Sequence, residues 1–344
     1  MLRSVFTITF YFLYLFSKGQ TIGGEAVYNF LKLPASPKLS SLGGINVSYS
    51  NDDAGLAVNN PATLNENLHS QLALSFNSFF ASTKAYQLAG AYHSNKINTT
   101  FGGSVFFVDY GNISQTDAAG NAEGTFHPTD FTIQFSASKK YLEKWQYGLS
   151  VKIVNSNYGQ YRSTGLAFDA GIFFNDTVHF FSAGLVAKNM GVQLSSYNDT
   201  KEDLPFDLQA GITKKLAKAP LGFSVNAQQI HQFNILYDDT TFNNENAFTS
   251  NTSFLNKFFN HFVIATHVYL GKNLEMNIGY NRLRRYELNI GSAGNGLNGF
   301  SAGFKARINK LHFQYARAWF QRASAYNQLG INIQLNKLFS LNNL

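Results

Sequence analysis

The feature that most constrains this chain is a period-two alternation of apolar and polar residues that starts near residue 71 and recurs almost to the end. In its clearest stretch, Leu297–Trp319, Phe300, Ala302, Phe304, Ala306 and Ile308 alternate with Ser301, Gly303, Lys305 and Arg307. Asn309-Lys310 then marks a turn, and Leu311, Phe313 and Tyr315 alternate with His312, Gln314 and Ala316. Successive side chains of a strand point to opposite faces, so this reads as a β-hairpin with one greasy face and one polar face. A soluble sandwich and a membrane barrel both satisfy the pattern, with inside and outside exchanged, and the rest of the chain has to separate them.

The same template fits Leu72–Asn77, Phe131–Ser136, Tyr147–Ile153, Leu166–Phe174, Phe181–Ala187, Phe206–Ile212, Leu221–Ala227, Phe262–Leu270, Leu274–Tyr280 and Leu329–Leu335. With 84–94 and 100–110 the count is about fourteen strands of roughly ten residues, the length a tilted strand needs to cross a bilayer. Beyond the first 20 residues no apolar run approaches the roughly 20 residues of a membrane helix, so a membrane role requires a closed barrel. The connections point the same way. Those after odd-numbered strands read as long (111–129, 156–164, 190–205, 232–260, 283–297) and those after even-numbered strands as short (95–99, 140–145, 175–178, 215–220, 271–273, 309–310). Outer-membrane barrels keep short turns on the periplasmic side and long loops outside. On that reading both termini lie in the periplasm.

Polarity supports it. Lys152, Asp169, Lys188, Lys305 and Arg307 all fall opposite the aliphatics, and a lysine or arginine on the lipid face costs about 2–4 kcal/mol at mid-bilayer. Phe79, Phe80, Tyr110, Tyr141, Trp145, Tyr269, Tyr280, Trp319 and Phe320 lie near strand ends and read as interface belts. The expected fold class is all-β: a transmembrane antiparallel β-barrel of about 14 strands.

The first 70 residues read differently. Arg3, the apolar run Val5–Phe16 and Ser17-Lys18-Gly19 have the order of a secretory signal peptide over 1–19. The absence of cysteine removes disulfides and the lipid-bearing cysteine of a lipoprotein. Residues 20–70 lack alternation and are punctuated by Gly23-Gly24, Pro34, Pro37, Gly43-Gly44, Asp52-Asp53 and Asn59-Asn60-Pro61, which suits a plug or hatch ahead of a barrel over 71–344. The net charge of +7 is not collected into any basic block, so nucleic acid is not an expected partner.

Motifs for chemistry are sparse. HExxH, CxxC and GxSxG do not occur. His261 and His267 read as sharing a strand face but lie too far apart to share a metal without a third ligand. Ser301 and His312, on the polar faces of neighbouring strands, read as lumen filling, and Asp52-Asp53 and Asp238-Asp239 as turn formers rather than calcium loops. No enzymatic activity, cofactor or metal is expected. The working surface is expected in the long loops. Phe233, Tyr237, Phe242, Phe248 and Phe254 crowd one of them and Arg282, Arg284 and Arg285 open another. Phe233, Tyr237, Phe242 and the three arginines are the candidates for contact with a protein partner or lipopolysaccharide.

Several blocks of sequence carry a resemblance. Gly23-Gly24, Val27-Tyr28-Asn29-Phe30-Leu31, Leu33-Pro34, Leu42-Gly43-Gly44, Asp52-Asp53 and Asn60-Pro61-Ala62 form the first. Tyr110-Gly111, Thr116-Asp117, Gly120-Asn121, Leu185, Lys188-Asn189-Met190-Gly191 and Leu204-Pro205-Phe206-Asp207-Leu208 follow, then Gly279-Tyr280-Asn281, Leu283-Arg284-Arg285, Glu287-Leu288 and Gly299-Phe300-Ser301. Together they resemble PorQ-type members of the PorV/PorQ family, FadL-like outer-membrane barrels of the type IX secretion system of Bacteroidota. The resemblance implies a fourteen-stranded barrel with a plug that enters from the periplasm and no enzymatic activity. It implies an attachment complex in which the barrel anchors a PorZ-like surface protein beside a PorV-like barrel that holds a PorU-like sortase, so that cargo is attached to anionic lipopolysaccharide. The alternative is a FadL-like transporter of hydrophobic small molecules, whose apolar pocket Phe30 and Leu31 would help to line. The Ser, Gly, Asn, Gln and Lys read on the lumen face argue against a fatty-acid route.

Overall fold

The computed structural model describes residues 26–49, 52–80, 82–235, 253–288, 296–321 and 324–336. The signal-peptide reading of 1–19 lies outside the described residues, as do Tyr237, Phe242, Phe248 and Asp238-Asp239.

Sixteen strands follow one another among the described residues. They are β1 (Gln71–Ser78), β2 (Lys84–Ser94), β3 (Thr99–Asp109), β4 (Ile113–Thr116), β5 (Ala122–Phe126), β6 (Thr129–Tyr141), β7 (Trp145–Tyr158), β8 (Tyr161–Asp176), β9 (Phe181–Ser195), β10 (Asp207–Lys215), β11 (Leu221–Ala227), β12 (Phe262–Leu270), β13 (Leu274–Asn281), β14 (Phe300–Ile308), β15 (Leu311–Gln321) and β16 (Ser324–Gln334). Fourteen of them form a closed antiparallel barrel in which each strand pairs with its neighbours in the chain, and β1 closes on β16 from Gln71↔Gln334 to Ser78↔Asn327. The other two, β4 and β5, make a separate two-stranded ribbon between β3 and β6.

The alternation sorts residues onto two faces as the pleat requires. Leu88, Val105, Ile133, Ile153 and Leu166 are direct cross-strand neighbours along one outward row. Leu149 is 62% exposed and Phe135 60%. A continuous apolar surface of this extent needs a hydrocarbon environment rather than water. Ser150, Lys152, Asp169, Ser224 and His267 point inward and are buried. Among the described residues no helix is long and apolar enough to cross a membrane.

Two connections differ from the expectation. Residues 156–164 are not a loop: β7 and β8 continue to Tyr158 and Tyr161 and join by Gly159-Gln160, with Gly159 at φ 68°. Polar residues there, such as Asn157 and Arg162, pair in register, because a strand that has left the membrane no longer needs an apolar face. The 111–129 connection contains the β4–β5 ribbon. The aromatic belt is also smaller than expected. Tyr141 and Trp145 are exposed, but Tyr110 turns in to donate to Asp130 Oδ2 at 2.6 Å, Phe79 packs on buried Tyr326, and Tyr269 lies 3.4 Å from Tyr49 by their hydroxyls.

The described residues between 26 and 70 run through the barrel as short turns: a 3₁₀ turn at Asn29–Lys32, a helix at Pro37–Ser41 capped by Ser36, another at Ala54–Ala57 capped by Asp53, and 3₁₀ turns at Pro61–Thr63 and Glu66–Leu68. The path starts at the long-loop end, where Ala26 bridges to Asp203 in the β9–β10 connection. It ends at the short-turn end, where β1 begins. β1 and β16 do start and finish at the short-turn end, but the first described residues lie at the opposite one. The two chain ends expected in the periplasm lie outside the described residues, and the described start of the lumen segment lies at the end opposite to β1 and β16.

Candidate functional site

The inner wall and the lumen segment meet through polar groups over most of the barrel's height. At the short-turn end Asp52 is held by Lys305 and Arg307, with His312 Nδ1 at 3.8 Å and Arg307 Nε donating to His312 Nε2 at 3.0 Å. Burial, the largest single influence, opposes ionisation of Asp52, but Lys305, His312 and Arg307 together outweigh it and hold the carboxyl at about 2. Its neighbour Asp53 accepts from Gly55 N at 2.9 Å and from Gln314 Nε2 at 2.8 Å. The acidic pair read as a turn former is thus a helix cap and an ionic latch.

At the same end, on the strand beside Lys305, Lys38 pairs with Glu275, the register partner of Lys305, and donates to Asn277 Oδ1 at 2.9 Å. Tyr49 donates to Glu275 at 2.7 Å and stacks on His267 with ring centroids 4.5 Å apart. On the opposite wall Lys152 reaches Asp169 at 2.7 Å and Asn189 at 2.9 Å, and Lys188 bonds Asn59 of the lumen segment. Backbone contact is as tight as the side-chain contact. A Cβ on Gly184 would lie 2.0 Å from the carbonyl oxygen of Val47, and one on Gly279 2.3 Å from the nitrogen of Gly43. Glycine at these wall positions lets the lumen segment lie directly against the strands.

At the long-loop end the contacts become apolar. Val27, Tyr28 and Phe30 pack with Phe106, Val108, Val154, Ala167 and Leu204. Phe30, expected as a pocket-lining residue of a transporter, stacks on Phe106 and is itself core; Leu31 packs against the same cluster. A cavity of about 10 Å³ lies between Ala54, Val58, Leu64, Gly102 and Ser136, room for one water and far below a hydrophobic ligand.

The structure divides the expected site residues among separate tasks. Arg284 points inward: it donates to the Gly43 carbonyl at 3.1 Å and lies 4.7 Å from the Phe320 ring. Arg282 donates to Asn256 Oδ1 at 2.8 Å, and Arg285 to the carbonyls of Gly296 and Asn298 at 3.0 and 3.3 Å. Phe233 is half exposed with its ring 5.2 Å from Phe254. The three arginines therefore do not converge on one surface.

His261 ends the helix Phe254–Asn260 instead of sharing a strand with His267, and bonds the carbonyls of Gln228 and Phe233. Ser301 and His312 do not meet: Ser301 accepts from Gly43 N at 3.0 Å, and His312 faces Arg307. A pairing that was not foreseen is Ser224 Oγ to His267 Nε2 at 2.7 Å, with His267 Nδ1 2.9 Å from Asn277 Oδ1. Their alternate positions on β11 and β12 mark both as inward-facing, but only the register, with Ser224 opposite Ala265 and His267 opposite Gly222, makes them diagonal neighbours. Ser224 is also bonded to Thr213, which is bonded to Ser48, and both Ser224 and His267 are fully buried. The pair is part of the seal between wall and lumen segment, with no open approach for a substrate.

Fold and lumen together define a class: a fourteen-stranded membrane barrel closed by its own N-terminal segment. Its architecture is that of FadL-type outer-membrane barrels. It is similar to the toluene transporter TbuX of Ralstonia pickettii (13% identity, 89% of this chain and 98% of that one, TM-score 0.52). It is similar to the toluene transporter TodX of Pseudomonas putida (11%, 92% and 98%, 0.51) and to a FadL homologue of Pseudomonas aeruginosa (10%, 87% and 98%, 0.50). No family model and no curated protein matches the sequence.

Proposed function

We propose that this chain is an outer-membrane anchor: a barrel that holds a soluble partner at the cell surface through its long connections and carries nothing through its lumen. The observation that supports the reading most is the ionic and hydrogen-bonded packing of the described part of 26–70 against the wall, from Asp52–Lys305 and Lys38–Glu275 at one end through Lys188–Asn59 to Arg284–Gly43 at the other. That packing occupies the volume a solute would need. The resemblance in sequence specifies the anchor further as a PorQ-type subunit of the type IX attachment complex, with a PorZ-like protein as its partner, PorU- and PorV-like proteins in the wider complex and lipopolysaccharide as the acceptor of cargo. The test is affinity purification of a tagged copy from gently solubilised outer membranes of its own host. Stoichiometric recovery of a large surface protein with other secretion components supports the reading.

A second reading, transport of a hydrophobic small molecule, is favoured by the solved structures of the same fold, two of which are described as toluene transporters. Recovery of the barrel alone, with lipid or another hydrophobic compound in its lumen, would select it. On that reading the lumen segment has to move during each passage, because it lies directly against the wall at Gly184 and Gly279.

A further inference from the structure

The helix Phe254–Asn260, in the connection from β11 to β12, is turned inside out. Phe254 (65% exposed), Leu255 (60%), Phe258 and Phe259 share one side at helical spacing and all face away from the protein. Its polar residues face inward: Asn256 accepts from Arg282, and Asn260 is fully buried. A surface helix bathed in water places its apolar stripe on the core. This one reverses the arrangement.

The stripe also continues into a surface already assigned. The Phe258 and Phe259 rings lie 5.1 and 6.4 Å from Phe262. Phe262 opens β12 on the same outward row as Ile264, which belongs to the apolar belt of the wall. Phe233 extends the patch through Phe254, and the Arg282 guanidinium lies 5.8 Å from the Phe259 ring. Lys257 supplies a second cation on the same short helix.

We propose that Phe254–Asn260 is an interfacial helix lying in the outer leaflet, which fastens the β11–β12 connection to the membrane surface. Lipid is the occupant because the apolar face runs without a break into the lipid-facing wall, and because Lys257 and Arg282 are the cations that an anionic headgroup layer attracts. An aromatic-rich apolar face with basic residues beside it is the composition of helices that rest at that depth.

The chain has no cysteine, so a single nitroxide label reports one position. The full chain carrying Leu255→Cys or Phe258→Cys, in nanodiscs of phosphatidylethanolamine and phosphatidylglycerol, is compared with Ile264→Cys on the wall and Ser114→Cys on the β4–β5 ribbon. Relaxation by oxygen several-fold stronger than by a water-soluble nickel chelate, as at Ile264, is the expected result. A nickel-dominated response, as at Ser114, would overturn the proposal. As a second readout, Leu255→Trp in a background with Trp145→Phe and Trp319→Phe should be quenched by lipids brominated near the headgroup. Emission unaffected by brominated lipid, in a protein whose heat-dependent gel mobility shows a folded barrel, would overturn it equally.

Discussion

Lys38, on the lumen segment, and Glu275, on β13, form an ion pair inside the barrel across 237 residues of sequence. Lys38 is 3% exposed, so its ammonium has no water to fall back on, and the Glu275 side chain is only 13% exposed. Removing one partner strands the other, at about 3–5 kcal/mol, whereas replacing both with apolar groups of similar size is close to neutral. Lys38→Ala alone should therefore loosen the lumen segment while the wall stays folded, and Lys38→Met with Glu275→Leu should restore it. The expected readout is ion conductance in planar bilayers: raised in the single variant and returned towards the parent level in the double. Equal conductance in all three would show that the pair does not hold the segment.

The latch at the short-turn end has a pH dependence whose sign follows from Asp52. Its carboxyl sits at about 2 in the folded protein, below the ordinary value of about 3.9. A carboxyl lowered by folding contributes stability that is fully present above its unfolded value and is lost as pH falls through its folded one. The hydrogen-exchange protection factors of the Asp53–Ala57 region in detergent, corrected for the intrinsic rate at each pH, should thus stay constant from neutrality down to about pH 4, then fall between about pH 4 and 2. Asp52→Asn should exchange faster at neutral pH and lose that acid-dependent step.

How much of this was legible beforehand depends on which force wrote the signal. Lipid imposes a face on every residue it touches, so the inward placement of Lys152, Asp169, Lys305 and Arg307 and the turn at Asn309-Lys310 could be read from alternation alone. Above the membrane that force is absent, which is why the 156–164 stretch read as a loop although Asn155–Tyr158 and Tyr161–Thr164 are strand. The lumen contacts left even less trace. Asp52 and Lys305 are separated by more than 250 residues, and only closure of the barrel and the path of the segment bring them together. One clue was present: an acidic pair in a non-strand segment, set against basic residues on the polar face of the wall, is a charge complement waiting for a partner.

Gly184 tests the backbone contact separately from the charges. A methyl group there would meet the Val47 carbonyl at 2.0 Å, an approach that no rotamer can relieve because the obstacle is main chain. Gly184→Ala should cost about 1–3 kcal/mol of overpacking, expressed as faster proteolysis of the lumen segment. Gly90→Ala is the control: its added methyl group would meet nothing closer than 3.6 Å, so its digestion should match the parent. If the two variants digest alike, the segment is not pressed against β9 as described.

Arg284 belongs to the lumen packing and not to the surface proposed for a partner. Its guanidinium spans the Gly43 carbonyl and the Phe320 ring, and a Cβ on Gly44 would lie 2.5 Å from Nη2. A planar fork that bonds at its edge and stacks on its face is specific to arginine, and its loss is worth about 2 kcal/mol. Arg284→Lys, which keeps the charge and loses the geometry, should therefore accelerate hydrogen exchange around Leu42–Asn46 nearly as much as Arg284→Ala. Neither should change recovery of the surface partner, because the side chain points inward. Arg285→Ala makes the contrast, since its bonds to Gly296 and Asn298 hold an outer connection in shape; on the anchor reading it should lower recovery and leave exchange at Leu42–Asn46 unchanged. Reduced recovery with Arg284→Lys and unaltered exchange would instead place Arg284 on the partner's surface, and the outer end of the lumen segment would then need a different clamp.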